Sequence, residues 1–340
     1  MKTIAILAHP NSIASDVLTL LDYFEFSNAL WRFLQPESQQ QLFHAYVVSP
    51  DAKPLQLRHG LQLAVQSHDW SQADAAVFTP GYAYDAKGLQ QLVEQSSCYY
   101  PKLPALLENG AILAASCTGT YALAGSGLLN HRQATSSWFF KDVFKSMFSQ
   151  VHLQLNKVLV MDQQLLTAGA TTSHHNLCLA LTEKLAGEQF ARQMAKLMLT
   201  DPNRSSQLPY MDADLLPANP ALDPLMKQAR RYLLANLAEP FSLQQLADQL
   251  HLTKRTLLRR FKSELKDTPL NYLQRLRIEQ AKRLLETSRM PIEQVVLQVG
   301  YEDVSSFRKL FLQYTELTPS QYRQKFLLEP NWSCCPQSTG

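Results

Sequence analysis

The sequence has no apolar run near the roughly 20 residues that a membrane helix needs. Its opening run, MKTIAILA, is too short for the apolar core and cleavage site of a signal peptide, and it predicts a first buried strand. The five cysteines lack the spacing of metal ligands. We therefore expect reduced thiols, a cytoplasmic protein, no metal site and no cofactor.

Charge is distributed unevenly, although the whole chain carries a formal net charge of only +3. Residues 1–220 have 14 basic and 17 acidic side chains, whereas residues 221–327 have 18 basic and 11 acidic ones. A basic half is typical of a domain that binds phosphates, but a solvated basic surface has the same composition. Charge alone therefore leaves nucleic-acid binding open.

The pattern of apolar residues divides the 340-residue chain into two domains. Five apolar runs (4–8, 45–49, 75–79, 111–116 and 165–168) alternate with amphipathic stretches and predict an α/β domain with a mostly parallel sheet over residues 1–200. Dense proline, asparagine, aspartate and serine predict a linker over 201–220. Residues 221–327 have a helical pattern, and 328–340 predict a disordered tail.

The helical half contains an internal duplication. Each copy opens with apolar residues at the spacing of a buried helix face: Leu243, Leu246, Ala247 and Leu250, then Ile292, Val295, Val296 and Val299. A short turn and a second helix follow in each copy. Ser242 and Thr253 are suited to cap the helices of the first copy, and Asp303 caps the second helix of the other copy. Gly300 is suited to end the preceding helix.

The second helix of each pair is expected to face DNA. In the first copy, Leu257 and Phe261 are expected to pack the second helix against the first. Phe307 and Phe311 are expected to do the same in the second copy. The opposite face is basic and polar, which suits guanine edges and phosphate oxygens. The predicted DNA-binding residues are Lys254, Arg255, Thr256, Leu258, Arg259, Lys262, Ser305, Ser306, Arg308 and Lys309. A long helix over 270–286 would space the two readers rigidly, so that they enter successive major grooves.

Three stretches of the helical half match a known family: 257–262 (LLRRFK), 299–301 (VGY) and 318–323 (TPSQYR). Residues 241–326 resemble the DNA-binding domain of the AraC/XylS family, which implies a sequence-specific transcription regulator. Its expected partners are double-stranded DNA and, if it is an activator, RNA polymerase. The alternative is a helical bundle with an accidental duplication. Lys266 and Glu316 replace the family's glycines after each second helix, and a left-handed backbone there would cost about 1 kcal/mol at each position.

The N-terminal half holds one candidate for covalent chemistry. The apolar strand of 111–116 runs into Cys117, and a helical stretch follows Gly119. A cysteine on a sharp strand-to-helix turn has the geometry of a nucleophile elbow, where the helix dipole favours the thiolate. The loop of 79–82 follows another strand and is placed to present backbone amides beside the cysteine. Free amides after Cys117 favour an anionic ligand.

These residues, with 126–129 (SGLL) and 134–138 (ATSSW), resemble the class I glutamine-amidotransferase-like (PfpI-type) domain. More narrowly, they resemble the version fused to AraC-type domains in ligand-responsive regulators. The resemblance covers roughly 3–190 and implies a flavodoxin-like α/β fold. Related domains have a histidine where this chain has Ser137, and serine cannot act as the base that a thiol enzyme needs.

We therefore expect a pseudoenzyme domain, with no catalytic residues, that binds a small-molecule effector. The predicted pocket consists of Gly81, Tyr82, Cys117, Thr118, Ser137, Trp138, Ser173 and His174. Fused relatives respond to nitrogenous compounds such as amino acids, betaines or carnitine, and we expect a homodimer formed through this domain. Two alternatives remain open. One is an amidase in which His174 or His175 substitutes as the base, and the other is a redox sensor that uses an exposed, low-pKa Cys117 thiol.

Overall fold

The computed structural model describes residues 1–65, 69–212 and 223–327. The chain divides into two compact units, residues 1–207 and 208–340. The predicted tail over 328–340 lies outside the described residues, as does the 213–220 part of the predicted linker. Within the described ranges, no helix is long and apolar enough to cross a membrane.

The N-terminal unit is built on a six-stranded sheet with the order β2-β1-β5-β6-β10-β9. Its first five strands are parallel, and β9 runs antiparallel to β10 at the edge. Counted along the chain, the parallel strands have the flavodoxin-like order 2-1-3-4-5, which confirms the predicted fold. The strands of the unit are β1 (Lys2–Leu7), β2 (Phe43–Val48), β3 (Leu55–Gln56), β4 (Gln62–Leu63), β5 (Ala75–Phe78), β6 (Ile112–Ser116), β7 (Gln133–Ala134), β8 (His152–Leu153), β9 (Leu159–Asp162) and β10 (Leu165–Ala168).

Helices cover both faces of this sheet. Strand β1 shows why, because Ala5 and Leu7 enter one apolar core while Ile4 and Ile6 enter the other. A strand buried on both faces is apolar throughout, which is the pattern that the sequence shows. The helices of the unit are α1 (Ala14–Leu34), α2 (Ala86–Ser96), α3 (Leu103–Glu108), α4 (Gly119–Gly125), α5 (Lys141–Met147), α6 (Ser173–Ala186) and α7 (Glu188–Leu197). Helices α2, α3 and α4 cover the first face, and α1, α6 and α7 cover the second.

The C-terminal unit is helical and contains both predicted helix-turn-helix pairs. Its helices are α8 (Pro224–Ala235), α9 (Leu243–Gln249), α10 (Lys254–Leu265), α11 (Pro269–Thr287), α12 (Ile292–Gln298), α13 (Val304–Thr315) and α14 (Pro319–Phe326). The predicted caps form, since Ser242, Thr253 and Asp303 accept hydrogen bonds from backbone amides of α9, α10 and α13. Each pair has its own apolar core, and α11 contributes to both: Leu273 and Leu276 to the first, Ile278, Ala281 and Leu285 to the second.

The residues after α10 and α13 have the left-handed backbone that the family's glycines would favour. Lys266 has φ 55° and ψ 29°, and Glu316 has φ 55° and ψ 14°. An L-residue with a side chain is strained in this region by about 1 kcal/mol relative to glycine. The substitutions therefore lower stability and leave the helix ends in place.

Candidate functional site

The faces predicted to meet DNA are open to solvent. Nine of the ten predicted residues are exposed, and the remaining one, Thr256, is half-buried, with its hydroxyl oxygen 2.9 Å from that of Thr253. The anchoring residues Leu257, Phe261, Phe307 and Phe311 are fully buried. Helices α10 and α13 therefore each present one polar face, as a recognition helix must. Leu258, 41% exposed, can offer only an apolar contact such as one to a thymine methyl.

Cys117 stands on a sharp turn between β6 and α4. Its φ is +52°, and its backbone N–H donates to the carbonyl oxygens of Ala168 (3.1 Å) and Gly169 (2.9 Å). The next helix begins at Gly119, where a Cβ would lie 2.6 Å from the carbonyl oxygen of Phe78, so only glycine lets α4 pack this close to β5. The elbow geometry predicted from the sequence is therefore present.

The Cys117 thiol is buried, with hydroxyl groups of Thr171 and Ser137 as side-chain neighbours. Burial raises the pKa of this thiol above its ordinary value, and the nearby Asp16 carboxylate raises it further. The Thr118 amide after the turn lowers the pKa of the thiol, as expected at the start of a helix, but burial outweighs this effect. The premise of the redox alternative, an exposed low-pKa thiol, fails for the same reason.

His174 belongs to a different hydrogen-bonding arrangement. Its Nδ1 lies 2.7 Å from the carbonyl oxygen of Thr171 and 3.1 Å from Asp16 Oδ1. Its Nε2 is buried without a hydrogen-bond partner in the described part of the chain. The histidine is thus oriented by a carboxylate and a backbone carbonyl, and the elbow lacks the cysteine–histidine pair that a thiol hydrolase uses.

Asp16 is the residue of this site that sequence reasoning missed. It lies in the first turn of α1 and is 1% exposed; its Oδ1 faces His174 Nδ1 at 3.1 Å, and its Oδ2 is buried without a hydrogen-bond partner in the described residues. His9, after β1, is similarly buried with both ring nitrogens unpartnered, and burial lowers its pKa to about 4. Asp16 and His9 both follow the carboxyl end of β1. Ligands commonly bind at this end of a parallel sheet, at the switch point of the strand order, so the position of the two residues could have identified them from the sequence.

The loop of Gly81 does not present a free amide to the elbow. The Gly81 N–H donates to Thr118 Oγ1 (3.0 Å), and the Thr118 hydroxyl donates to the Gly81 carbonyl oxygen (2.8 Å). The Tyr82 N–H donates to the carbonyl oxygen of Asn11 (3.1 Å). Both loop amides are therefore already used, contrary to the expectation from the sequence.

The structure brings together only part of the predicted pocket. Gly81, Cys117, Thr118, Ser137, Ser173 and His174 are buried around the elbow, with the hydroxyl of Ser173 unpartnered. Tyr82 instead lines a neighbouring surface groove of about 510 Å³, where the Arg58 guanidinium lies 4.5 Å from its ring centre. Trp138 is half-buried and packs edge-on against Phe139.

Similarity to known proteins covers both units. A family model described as a helix-turn-helix domain matches residues 246–325. The chain is 24% identical to the HTH-type transcriptional regulator GbdR of Pseudomonas aeruginosa over 93% of this chain and 85% of GbdR. It is also 28% identical to the HTH-type transcriptional regulator CdhR of the same species, over 63% of each chain.

The chain is a DNA-binding transcription regulator with a helix-turn-helix domain. The regulator carries a flavodoxin-like α/β domain ahead of two helix-turn-helix pairs, as the sequence predicts. Among solved structures, it is similar to Drosophila melanogaster DJ-1beta (17% identity, 59% of this chain and 98% of that chain, TM-score 0.48). It is also similar to an AraC family regulator from Pseudomonas putida (15% identity, 58% and 100%, TM-score 0.44).

Proposed function

We propose that the N-terminal unit of this regulator is a non-catalytic sensor, and that a small metabolite bound at the elbow controls DNA binding. The observation that carries the proposal is the group of buried polar atoms around Asp16. Asp16 Oδ2, His174 Nε2 and the Ser173 hydroxyl are buried without a hydrogen-bond partner in the described residues, and Asp16 Oδ1 faces His174 Nδ1 at 3.1 Å. Burying such groups unpaired is costly, so a ligand that pairs with them gains affinity.

The chemistry of these atoms favours a ligand with a positively charged or hydrogen-bond-donating group. A buried carboxylate accepts hydrogen bonds and repels anions. The loop amides of Gly81 and Tyr82 are already bonded within the domain, so they do not add an anion-binding site beside the elbow. We therefore replace the anionic ligand expected from the sequence with a cationic one, such as a small metabolite that carries an amine.

Three features support the absence of catalysis. The Cys117 thiol has a raised pKa, serine stands in place of the expected histidine, and the Gly81 amide is not free to stabilise an oxyanion. The domain is thus a pseudoenzyme in this proposal. Glutamine hydrolysis that Cys117→Ala abolishes would contradict it and restore the amidase alternative.

Asp16→Asn is expected to weaken metabolite binding about 10- to 100-fold, because a charged hydrogen bond contributes about 1.5–3 kcal/mol. The measurement is a thermal-shift screen of small amine-bearing metabolites against the full chain, followed by titration of the variant. Asp22→Asn is the matched control, since Asp22 is an exposed carboxylate on the same helix. If a metabolite stabilises the wild type and Asp16→Asn equally, Asp16 does not contribute to its binding.

We also propose that the exposed faces of α10 and α13 contact DNA through the ten residues named from the sequence. Their exposure and the burial of the opposite faces support this assignment. Arg308 lies 3.6 Å from Glu293 in an exposed ion pair, which is weak enough to be exchanged for a phosphate.

Arg259→Ala is expected to cost about 1–3 kcal/mol of DNA binding and to relax the preference at one base pair, because arginine binds guanine through two hydrogen bonds. The affinity of the full chain would be measured on duplexes selected from genomic DNA and on single-base variants of them. Arg231→Ala removes the same charge from an exposed position on α8. Equal weakening on every sequence by Arg259→Ala would assign Arg259 to a phosphate.

A homodimer through the N-terminal unit remains part of the proposal. Exposed apolar side chains on α1 support it, above all Phe33, which is 81% exposed, and Phe26. Contact with RNA polymerase applies if the regulator is an activator. The cytoplasmic location likewise stays a prediction.

A further inference from the structure

The segment that follows the last helix of the N-terminal unit is held there by one glutamine. Gln207 is 2% exposed, and its Oε1 accepts a hydrogen bond from the Ala170 N–H (2.8 Å). Its Nε2 lies 2.9–3.2 Å from four acceptors, namely Lys157 O, Leu155 O, Ser136 O and Thr135 Oγ1. A Cβ on Gly169 would lie 2.2 Å from this side chain, so any larger residue there would have to displace the Gln207 amide.

Three of these partners, Thr135, Ser136 and Ala170, belong to the two loops that shape the elbow. The Ser136 hydroxyl donates to the Cys117 carbonyl oxygen (2.9 Å), and the Cys117 N–H donates to the Gly169 carbonyl oxygen (2.9 Å). Ala170 directly precedes Thr171, whose hydroxyl neighbours the Cys117 thiol. A change in either loop therefore changes the hydrogen bonds that hold Gln207.

Three residues later, the same segment is anchored in the C-terminal unit. The Tyr210 ring packs edge-on against Phe326 with ring centres 5.2 Å apart, and the Lys325 ammonium lies 5.0 Å from its centre. The Lys282 ammonium donates to the carbonyl oxygen of Met211. Because the Lys282 side chain is only 6% exposed, this carbonyl helps to compensate a buried charge that also pairs with Glu279 at 3.0 Å.

We propose that residues 205–212 form a strap that couples the elbow to the second helix-turn-helix pair. The inference rests on the proposed sensor function for the identity of its signal. A ligand at the elbow that moves the loops of Ser136 and Ala170 weakens or strengthens the hydrogen bonds of these loops to Gln207. The short connection passes that change to Tyr210 and Met211, and hence to α11 and α14. The regulator thus has two states, one with the strap contacts formed and one with them weakened. A ligand that binds one state more tightly shifts the equilibrium between them, and this changes how firmly the strap contacts α11 and α14.

Hydrogen–deuterium exchange of the full chain tests the strap without any ligand. Gln207→Ala is expected to speed exchange of the α14 amides about threefold or more, although the Gln207 side-chain hydrogen bonds given above are all to residues of the N-terminal unit. Tyr210→Ala is expected to speed exchange at Ala170 and Val158 in return, because the coupling is reciprocal. Gln189→Ala, an exposed glutamine on α7, is the matched control and is expected to change neither region.

Circular dichroism and tryptophan fluorescence verify that each variant is folded. If one variant unfolds, the other still tests the coupling on its own. Exchange changes confined to the N-terminal unit in Gln207→Ala, and to the C-terminal unit in Tyr210→Ala, would overturn the strap. That outcome leaves the sensor proposal standing if Asp16→Asn still weakens metabolite binding. Coupled exchange without any metabolite response would retain the strap and reject the sensor.

Discussion

Gly300→Ala is expected to lower the free energy of unfolding of the C-terminal unit by about 3 kcal/mol or more. Gly300 has φ +82°, which costs an alanine about 1–2 kcal/mol. The added Cβ would also lie 2.8 Å from the Ala238 Cα, the Leu237 carbonyl oxygen and the Arg277 guanidinium. Two of these are backbone atoms that cannot rotate away, so overpacking adds about 1–3 kcal/mol.

The two units can be followed separately in this measurement. Three of the four tryptophans lie in the N-terminal unit (Trp31, Trp70 and Trp138), whereas far-UV circular dichroism reports the helices of both units. We expect Gly300→Ala to shift the helical transition and leave the tryptophan transition unchanged. Gly110→Ala is the control, because Gly110 has φ +85° but open space at its Cβ. Equal losses for both variants would mean that backbone conformation alone explains the effect and the close packing at Gly300 contributes nothing.

Local patterns were sufficient to predict the C-terminal unit. The apolar spacing, the caps at Ser242, Thr253 and Asp303, and the glycine at 300 each act within a few residues. The contact of Gly300 with Leu237 and Ala238 joins parts of the chain more than 60 residues apart, and no local pattern reports it. The sequence therefore predicts each pair and says little about how the two pairs are fixed to each other.

In the N-terminal unit too, local patterns were predictable and contacts between distant parts of the chain were not. The five parallel strands are apolar on both faces and were predicted, but the edge strand β9 was missed because its four residues carry no such pattern. At the elbow, strand, cysteine and helix are consecutive, so their geometry was predictable. Asp16, Thr171 and Gln207 come from other parts of the chain, and only the fold brings them to Cys117 and its loops.

The joint between the two helix-turn-helix pairs is centred on Arg277 of α11, which is 8% exposed. Its Nε donates to the Leu237 carbonyl oxygen and its guanidinium to that of Glu239, both at 2.8 Å, in the loop before the first pair. The same guanidinium lies 5.2 Å from the ring centre of Tyr301, in the turn of the second pair. One planar cation thus holds a carbonyl-rich loop on one side and an aromatic ring on the other.

Arg277→Met is expected to destabilise the C-terminal unit by about 3 kcal/mol, because it removes two part-buried hydrogen bonds from a charged donor, worth about 1.5–3 kcal/mol each, and part of this loss is offset by no longer burying a charge. Arg277→Lys keeps the charge but cannot bridge both carbonyls, so an intermediate loss is expected. Arg231→Met, at an exposed position on α8, provides the matched control. Affinity for duplexes that span both half-sites should fall further than affinity for a single half-site, since the spacing of α10 and α13 depends on this joint. A variant that loses stability but keeps the ratio of the two affinities would show that the long helix α11 alone sets the spacing.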